Sequence, residues 1–489
     1  MNSIPHCEVN YHPHSFADPD GRLFKWNGQL YRGISSEWAP LLRKLLQDGV
    51  IHGLVGRGLL IDTESTDLAI GGYDMVVRHR CVPFASYPEE WCSAMFKDVV
   101  LTIVTLEIEL EQLGLTLRDA HPWNVLFDAC QPVYVDLTSM VPSQHESLWP
   151  AYNEFCHFCL YPLYLMSYGQ ERIARCLLSS YEGVRRSYLS MLAPTLGLLG
   201  FVPAAISDLT SGLRRRMLYL WQKLLNRVSS AKPPLFGSRL RSPKARLGLL
   251  EATRREVEGI TLPASRPKWL SNSEALVLPL SRQETWTIRQ QGLYTILTEI
   301  RPGSVLDVSN NTTWCARLAA WLGSRVVSFH TDENYVAQLY DEARARNLPI
   351  LPLVMDFTNP TPSRGIASHR YIAAVERFQC EMVIALALVH ELVFGRRLSF
   401  EKIVEGLALF SRRWLVIEFV PPQDEALDRW QSASVPWYTL DNLMSALRKW
   451  FYRIRMVPSC PGSRILLVCE KQTSMSDAGL SLEREQPDD

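Results

Sequence analysis

The sequence lacks net charge, paired cysteines and any apolar run long enough to cross a membrane. Its 489 residues carry 51 Lys+Arg against 51 Asp+Glu, so no overall positive charge favours nucleic-acid binding. Eleven cysteines are scattered, and the one close pair is Cys156 and Cys159 in CHFC. A single CxxC is weak evidence for zinc or redox chemistry, and two buried thiols on a helix are the favoured explanation. We therefore predict no metal site and a reducing, cytoplasmic compartment.

Long hydrophobic segments and targeting signals are also absent from the sequence. The longest apolar run, residues 191–206, contains two prolines and is shorter than the roughly 20 residues that a bilayer requires. The N-terminus has no basic region followed by an apolar stretch, so we expect no signal peptide. Apolar residues nevertheless make up 47% of the chain, which excludes disorder over most of its length. The length of 489 residues suggests two to four domains.

The composition divides the chain into a series of segments. Residues 1–205 mix strand-like and helical patterns, residues 206–285 resemble a helical linker, residues 286–472 alternate strands with helices, and residues 473–489 form a polar, acidic tail that we expect to be disordered. Within 212–250 there are ten Lys/Arg and no Asp/Glu. This basic linker could contact an anionic partner, or it could be a solvated helix face.

The strands of residues 286–472 predict an α/β sheet that is parallel except for a closing hairpin. Acids follow three successive strands, at Asp307, Asp332 and Asp356. Ligands bind such sheets at the carboxyl ends of the strands, where these acids could hold an amino group, a ribose and an adenine. Alternatively, Asp307 caps a turn and Asp332 begins a helix.

Several motifs in this segment resemble a known enzyme class. VLDVSNNTTW, MDFTNPTPS, EMVIALALVHEL and LVIEFVPPQDE, with the strand spacing and final hairpin, resemble class I S-adenosylmethionine-dependent methyltransferases. More narrowly, they resemble a bacterial methyltransferase family that includes nodulation-associated proteins. In this segment the resemblance covers residues 301–471 and implies a Rossmann-like seven-stranded sheet with S-adenosylmethionine as cofactor. The narrower family resemblance extends to the N-terminal motifs SYPEEW, LRDAHPWNVLF, PVYVDLTSM and AYNEFCHFCLYPLYLM, and therefore over most of the chain.

The resemblance also implies roles for individual residues. Asp307, with the loop residues Ser309, Asn310 and Asn311, would face the methionine end of the cofactor, and Asp332 would bind the ribose. Asp356 and Phe357 would lie beside adenine. The residues from Ala385 to His390 would line the reaction centre after the fourth strand. His390 would be the catalytic base for a hydroxyl acceptor, because imidazole titrates near neutral pH; alternatively, it caps the helix that follows.

The sequence departs from this family's pattern at the first two strand ends. The first loop has Ser309, Asn311 and Thr313 where relatives usually carry glycine, and His330 stands where the ribose acid is usual. Serine and threonine tolerate left-handed backbone poorly. We therefore expect that relieving the loop with glycine would tighten cofactor binding.

A second set of motifs lies in the N-terminal segment. In LRDAHPWNVLF, Asn124 follows Asp119 by five residues, and in PVYVD, Asp136 follows Asn124 by twelve residues. This spacing resembles the catalytic loop of kinase-like phosphotransferases, in which Asp119 would orient a hydroxyl while Asn124 and Asp136 would hold magnesium. No strand lysine or glycine-rich loop is recognisable. We therefore expect an α+β kinase-like domain that binds nucleotide weakly or not at all.

Three functions remain open at this point. The first is methyl transfer from S-adenosylmethionine to a glycan or small-metabolite acceptor. The second is ATP-dependent phosphotransfer, and the third is a non-catalytic binding or scaffold role in which both folds persist. We expect no specific nucleic-acid partner.

Overall fold

A computed structural model of the chain divides into two compact units, residues 1–265 and 266–489. It describes the residues in the ranges 2–15, 18–143, 149–180, 182–192, 243–263, 286–310, 314–368, 371–425, 427, 435–459 and 464–472. The tail 473–489, Asn311 and most of the basic linker lie outside the described residues. The domain limits expected from composition therefore remain a proposal.

The first unit contains short strands that pair mostly antiparallel. They are, in chain order, β1 (Asn2–Ser3), β2 (Asn10–Tyr11), β3 (Gly21–Trp26), β4 (Gln29–Ile34), β5 (Thr63–Ser65), β6 (Leu68–Ala69), β7 (Met75–His79), β8 (Leu115–Leu117), β9 (Val125–Asp128), β10 (Gln131–Tyr134) and β11 (Met140–Pro142). A five-stranded antiparallel sheet has the order β2-β3-β4-β7-β5. Asn27 and Gly28 turn β3 into β4 with φ of 48° and 73°, as a two-residue hairpin requires.

The described part of the first unit also contains eight α-helices. The α-helices are Ala39–Gln47, Val50–Gly56, Ser93–Gln112, Tyr152–Phe155, Tyr161–Ser167, Glu171–Leu178, Arg186–Leu192 and Pro243–Gly259. The longest, Ser93–Gln112, buries most of its surface. Cys156 and Cys159 lie on the π-helical turn Cys156–Leu160 and are both buried, which confirms the expectation of two buried helical thiols.

One helix within the predicted linker belongs to the first unit. Pro243–Gly259 packs along Ser93–Gln112, and the buried Arg246 donates from Nε and Nη2 to Glu111 Oε1 at 2.9 and 2.6 Å. Lys97 Nζ donates to the carbonyls of Glu258 and Ile260 at the end of this helix. This part of the basic segment therefore differs from a solvated linker. Arg246 is committed to an internal ion pair rather than to an anionic partner.

The second unit is built on one seven-stranded sheet. Its strands are β12 (Ser304–Asp307), β13 (Arg325–His330), β14 (Ile350–Val354), β15 (Cys380–Ala385), β16 (Ser411–Phe419), β17 (Arg453–Pro458) and β18 (Ile465–Glu470). The order is β14-β13-β12-β15-β16-β18-β17, and β18 runs antiparallel to both of its neighbours while the other pairs are parallel. The predicted α/β class is confirmed.

Helices connect these strands. The α-helices are Ile288–Ile300, Trp314–Trp321, Glu333–Arg346, Ala374–Arg377, Phe400–Phe410 and Leu440–Leu447, and a π-helical turn covers Glu391–Gly395. Their starts are encoded locally: Thr287, Asp332, Ser399 and Thr439 each accept a hydrogen bond from a backbone amide of the helix they precede. Six of the strands are largely buried, as expected for a covered sheet, whereas the edge strand β17 is mostly exposed.

Candidate functional site

The carboxyl end of β12 lies where the strand order reverses, since β13 and β14 lie on one side and β15 on the other. Such a switch point is where open α/β sheets bind ligands. Asp307 ends β12 with 1% of its surface exposed. Its Oδ1 accepts a hydrogen bond from the Ser309 amide at 3.0 Å, and its Oδ2 accepts none from the described residues.

This environment disfavours the ionised form of Asp307. Burial raises the pKa of Asp307 to about 6. Interactions with the Ser309 hydroxyl and amide, and a smaller one with the Ala316 backbone, lower the pKa but do not offset burial. A buried carboxyl at a strand end, with one oxygen that accepts no hydrogen bond from the described residues, is therefore suited to a ligand group that is cationic or donates a hydrogen bond.

The loop that follows Asp307 is tied to β15. Ser309 is buried, and its Oγ accepts a hydrogen bond from the Leu386 amide at 3.0 Å. The Asn310 amide donates to the Leu386 carbonyl, also at 3.0 Å. Among the described residues, Ser309 is not one of those with positive φ, so the glycine substitution expected to relieve this residue would instead remove an acceptor. Asn311 and Thr313 lie outside the described residues.

Two residues follow one another closely at the second strand end: Asp332, the ribose candidate, and His330, which stands at the usual position of the ribose acid. Asp332 Oδ1 accepts a hydrogen bond from the Asn334 amide at 2.9 Å and caps the helix Glu333–Arg346. His330, in contrast, ends β13 itself, and its ring stacks on Tyr335 with centroids 3.9 Å apart. Its Nδ1 accepts from the Asp332 amide, while its buried Nε2 has no hydrogen-bond partner among the described residues. Burial lowers the pKa of His330.

Asp356 follows β14 and is already paired. Its Oδ1 accepts hydrogen bonds from the Thr358 amide and hydroxyl, and its Oδ2 lies 2.6 Å from Arg396 Nη1. The pKa of Asp356 is lowered: burial would raise it, but the Thr358 and Arg396 interactions outweigh burial. The neighbouring Phe357 ring packs 6.2 Å from the Phe410 ring. The role of either residue beside adenine stays a prediction.

The segment after β15 has an unusual backbone. Ala385 is fully buried at the strand end, and Ala387 has φ of +52°, which non-glycine residues seldom adopt. The Ala387 amide donates to Glu418 Oε2 at 3.0 Å, which helps to hold this conformation. His390 lies three residues later, buried, directly before the π-helical turn.

Glu418 is a buried acid that the sequence reading missed. It lies near the end of β16 with no exposed surface. Besides the Ala387 amide, it accepts a hydrogen bond from Ser459 Oγ at 3.1 Å and lies 3.5 Å from Arg289 Nη1. The available signal was a single acid within the apolar strand sequence LVIEFV, since buried acids require partners.

The N-terminal motif residues lie around the hairpin of β9 and β10. Asp119 Oδ1 accepts from the His121 amide at 2.8 Å, and Asn124 Nδ2 donates to the Tyr134 hydroxyl at 3.3 Å. Glu154, which accepts from the Ala120 amide, has a pKa raised to about 7 by burial and by the Asp119 charge. No three His, Cys, Asp or Glu side chains group closely enough to hold a metal ion in the described part of the chain.

Known proteins resemble the chain at modest similarity. No family model matches it. The nodulation protein NoeA of Rhizobium meliloti (strain 1021) is 26% identical over 436 residues, which cover 85% of this chain and 86% of that protein. Across the described residues, no helix has both the length and the apolar character that a membrane span requires.

Similar solved structures include several methyltransferases. The magnesium protoporphyrin IX methyltransferase of Synechocystis PCC 6803 with bound SAM is 14% identical, covering 37% of this chain and 79% of its own, with a TM-score of 0.26. TehB from Haemophilus influenzae is 15% identical, with coverages of 40% and 66% and a TM-score of 0.27. The bifunctional kinase-methyltransferase WbdD is 10% identical, with coverages of 40% and 43% and a TM-score of 0.29. These low scores leave the functional argument to the chain's own residues.

Proposed function

We propose that the second unit binds S-adenosylmethionine and transfers its methyl group to an acceptor, which makes the chain a methyltransferase. The observation that carries this proposal is the sheet order β14-β13-β12-β15-β16-β18-β17 with β18 antiparallel. This arrangement includes the closing hairpin by which the sequence resembles class I methyltransferases. It places the ends of β12, β13 and β15 together at the switch point.

The residues at this switch point are compatible with the cofactor. Asp307 Oδ2 is buried and accepts no hydrogen bond from the described residues, so it is available to the amino group of the methionine moiety. The Nε2 of His330 is available in the same way at the end of β13, where it would face a ribose hydroxyl. Asp356 and Phe357 would border the adenine.

Methyl transfer requires little covalent assistance from the protein. When bound, S-adenosylmethionine supplies a methyl group already activated on a sulfonium. The chain's own residues therefore need to align the acceptor and, for a hydroxyl, remove its proton. His390, buried just after the positive-φ turn at Ala387, is the proposed base. The proposed acceptor is a hydroxyl of a glycan or small metabolite.

Calorimetric titration of the full chain with S-adenosylhomocysteine, S-adenosylmethionine and Mg-ATP tests this proposal. We expect saturable binding of both adenosyl ligands and none of Mg-ATP. D441N, which changes an exposed acid of the helix Leu440–Leu447, should bind like the wild type. Absence of heat and of thermal stabilisation at millimolar adenosyl ligand would favour the scaffold role, whereas binding of Mg-ATP alone would favour phosphotransfer.

A further inference from the structure

The acid that resembles a kinase metal ligand already has a cation beside it. Asp136 follows β10, and its Oδ1 lies 2.8 Å from Nη1 of Arg32. The Thr138 hydroxyl donates to the same oxygen at 2.9 Å. Arg32 lies on β4 of the five-stranded sheet, 104 residues earlier in the chain. One guanidinium thus joins two distant segments of the first unit.

One nitrogen of this guanidinium, Nη1, lies close to three side-chain oxygen atoms. Arg32 is 5% exposed. In addition to Asp136, its Nη1 lies 3.3 Å from Thr138 Oγ1 and 3.7 Å from Asp18 Oδ2. Two carboxylates and a hydroxyl are ligands that hard divalent cations prefer, yet here they surround a side chain of the protein itself.

The residues implied to hold magnesium therefore do not fit that ion in the described structure. Arg32 occupies the Oδ1 side of Asp136, and Asn124 Nδ2 is directed to the Tyr134 hydroxyl. A second positive charge at this position would be repelled by the guanidinium at short range and in a partly buried environment. No described trio of acidic, histidine or cysteine side chains offers an alternative metal site.

We propose that Arg32 is a built-in cation that takes the place of a divalent metal ion between Asp18, Asp136 and Thr138. The first unit is then held together across β4 and the segment after β10 without any ligand. Removal of the guanidinium would leave two partly buried carboxylates without their counter-charge. The same oxygens would then become a site for a divalent cation, so that the variant gains a binding property the wild type lacks.

Titration of the full chain with Mn²⁺, followed by the electron paramagnetic resonance signal of the free ion, tests this inference. We expect no binding by the wild type up to about 1 mM, the weak end of protein sites for hard cations. R32M, which keeps the apolar stem and removes the charge, should bind at least about tenfold more tightly than the wild type. R78M is the matched control, because Arg78 lies on β7 of the same sheet and pairs with Glu64 at 2.6 Å rather than with Asp18 or Asp136.

The origin of the new site is checked by the double variant R32M/D136N, which should lose the gained binding. Mn²⁺ binding by the wild type that D136N abolishes would overturn the proposal. A folded R32M protein that binds no Mn²⁺ would overturn it as well. If R32M fails to fold, binding of Mn²⁺ and Mg-ATP by the wild type is compared with binding by D136N. The built-in cation is supported if the wild type shows no binding that D136N removes, and it is refuted if the wild type shows such binding.

Discussion

Replacing Asp307 by asparagine isolates the charge at the centre of the proposed cofactor site. D307N preserves the shape of the side chain and the acceptor for the Ser309 amide, but it removes the carboxylate whose Oδ2 accepts no hydrogen bond from the described residues. If this oxygen receives the ligand's ammonium group, the variant should bind S-adenosylhomocysteine more weakly. A hydrogen bond to a charged group contributes about 1.5–3 kcal/mol, which corresponds to about 10- to 150-fold in Kd.

The pH dependence of binding gives a second, independent number. The pKa of Asp307 is raised to about 6 by burial, and the ligand's cation requires the ionised carboxylate. Affinity should therefore rise as the pH rises through about 6. Between pH 7 and pH 5 the ionised fraction falls about tenfold, so the wild-type Kd should increase by about the same factor. D307N should lack this dependence.

The assay is calorimetric titration of the full chain with S-adenosylhomocysteine at pH 5, 6 and 7. His330, whose pKa burial lowers, also lies at this edge, together with Asp332, Asp356 and His390. Since D307N retains all of these groups, the difference between the two profiles reports the contribution of Asp307. D441N should follow the wild type throughout. Equal affinities for D307N and wild type at pH 7, or the same pH dependence in both, would refute the assignment of Asp307.

Substitutions at three further residues test other contacts of the two units. S309A and S309G should both lower the free energy of unfolding by about 1–3 kcal/mol, because the buried Leu386 amide loses its acceptor. If S309G instead binds S-adenosylhomocysteine more tightly than the wild type, the loop backbone at Ser309 is strained. R396A should change the Kd for S-adenosylhomocysteine by less than about fivefold, because the Arg396–Asp356 pair is partly exposed. A larger change measured by calorimetry would indicate a direct contact between Arg396 and the ligand. R246M should expose the segment Pro243–Gly259 to limited proteolysis, because breaking the buried pair with Glu111 costs about 3–5 kcal/mol. R254M changes a more exposed side chain of the same helix and should stay resistant. Equal resistance of R246M and R254M would contradict this prediction.

Much of the second unit's secondary structure could be predicted from local sequence. The strands Ile350–Val354 and Arg325–His330 coincide with the apolar runs ILPLV and RVVSFH. Such strands can be predicted because each is a short apolar run bounded by turn or helix signals, and both faces of the central part of the sheet are covered. The same runs placed Asp307, Asp332 and Asp356 at strand ends.

The roles of those acids could not be predicted from local sequence. An acid at a helix start is favoured both as a cap and as a ligand-binding group, and only the 2.9 Å contact with the Asn334 amide shows that Asp332 serves as a cap. The ion pairs that organise the first unit join residues far apart in the chain. Arg32 and Asp136 are 104 residues apart, and Arg246 and Glu111 are 135 apart. Local patterns carry no information about such pairs.

Photocrosslinking of the full chain with S-adenosylmethionine labelled in its methyl group, followed by peptide mapping, identifies the part of the chain that binds the cofactor. We expect labelled peptides from residues 286–472, competition by excess S-adenosylhomocysteine, and reduced labelling of D307N but not of D441N. Label confined to peptides of residues 1–265, or label that excess S-adenosylhomocysteine does not displace, would contradict this expectation.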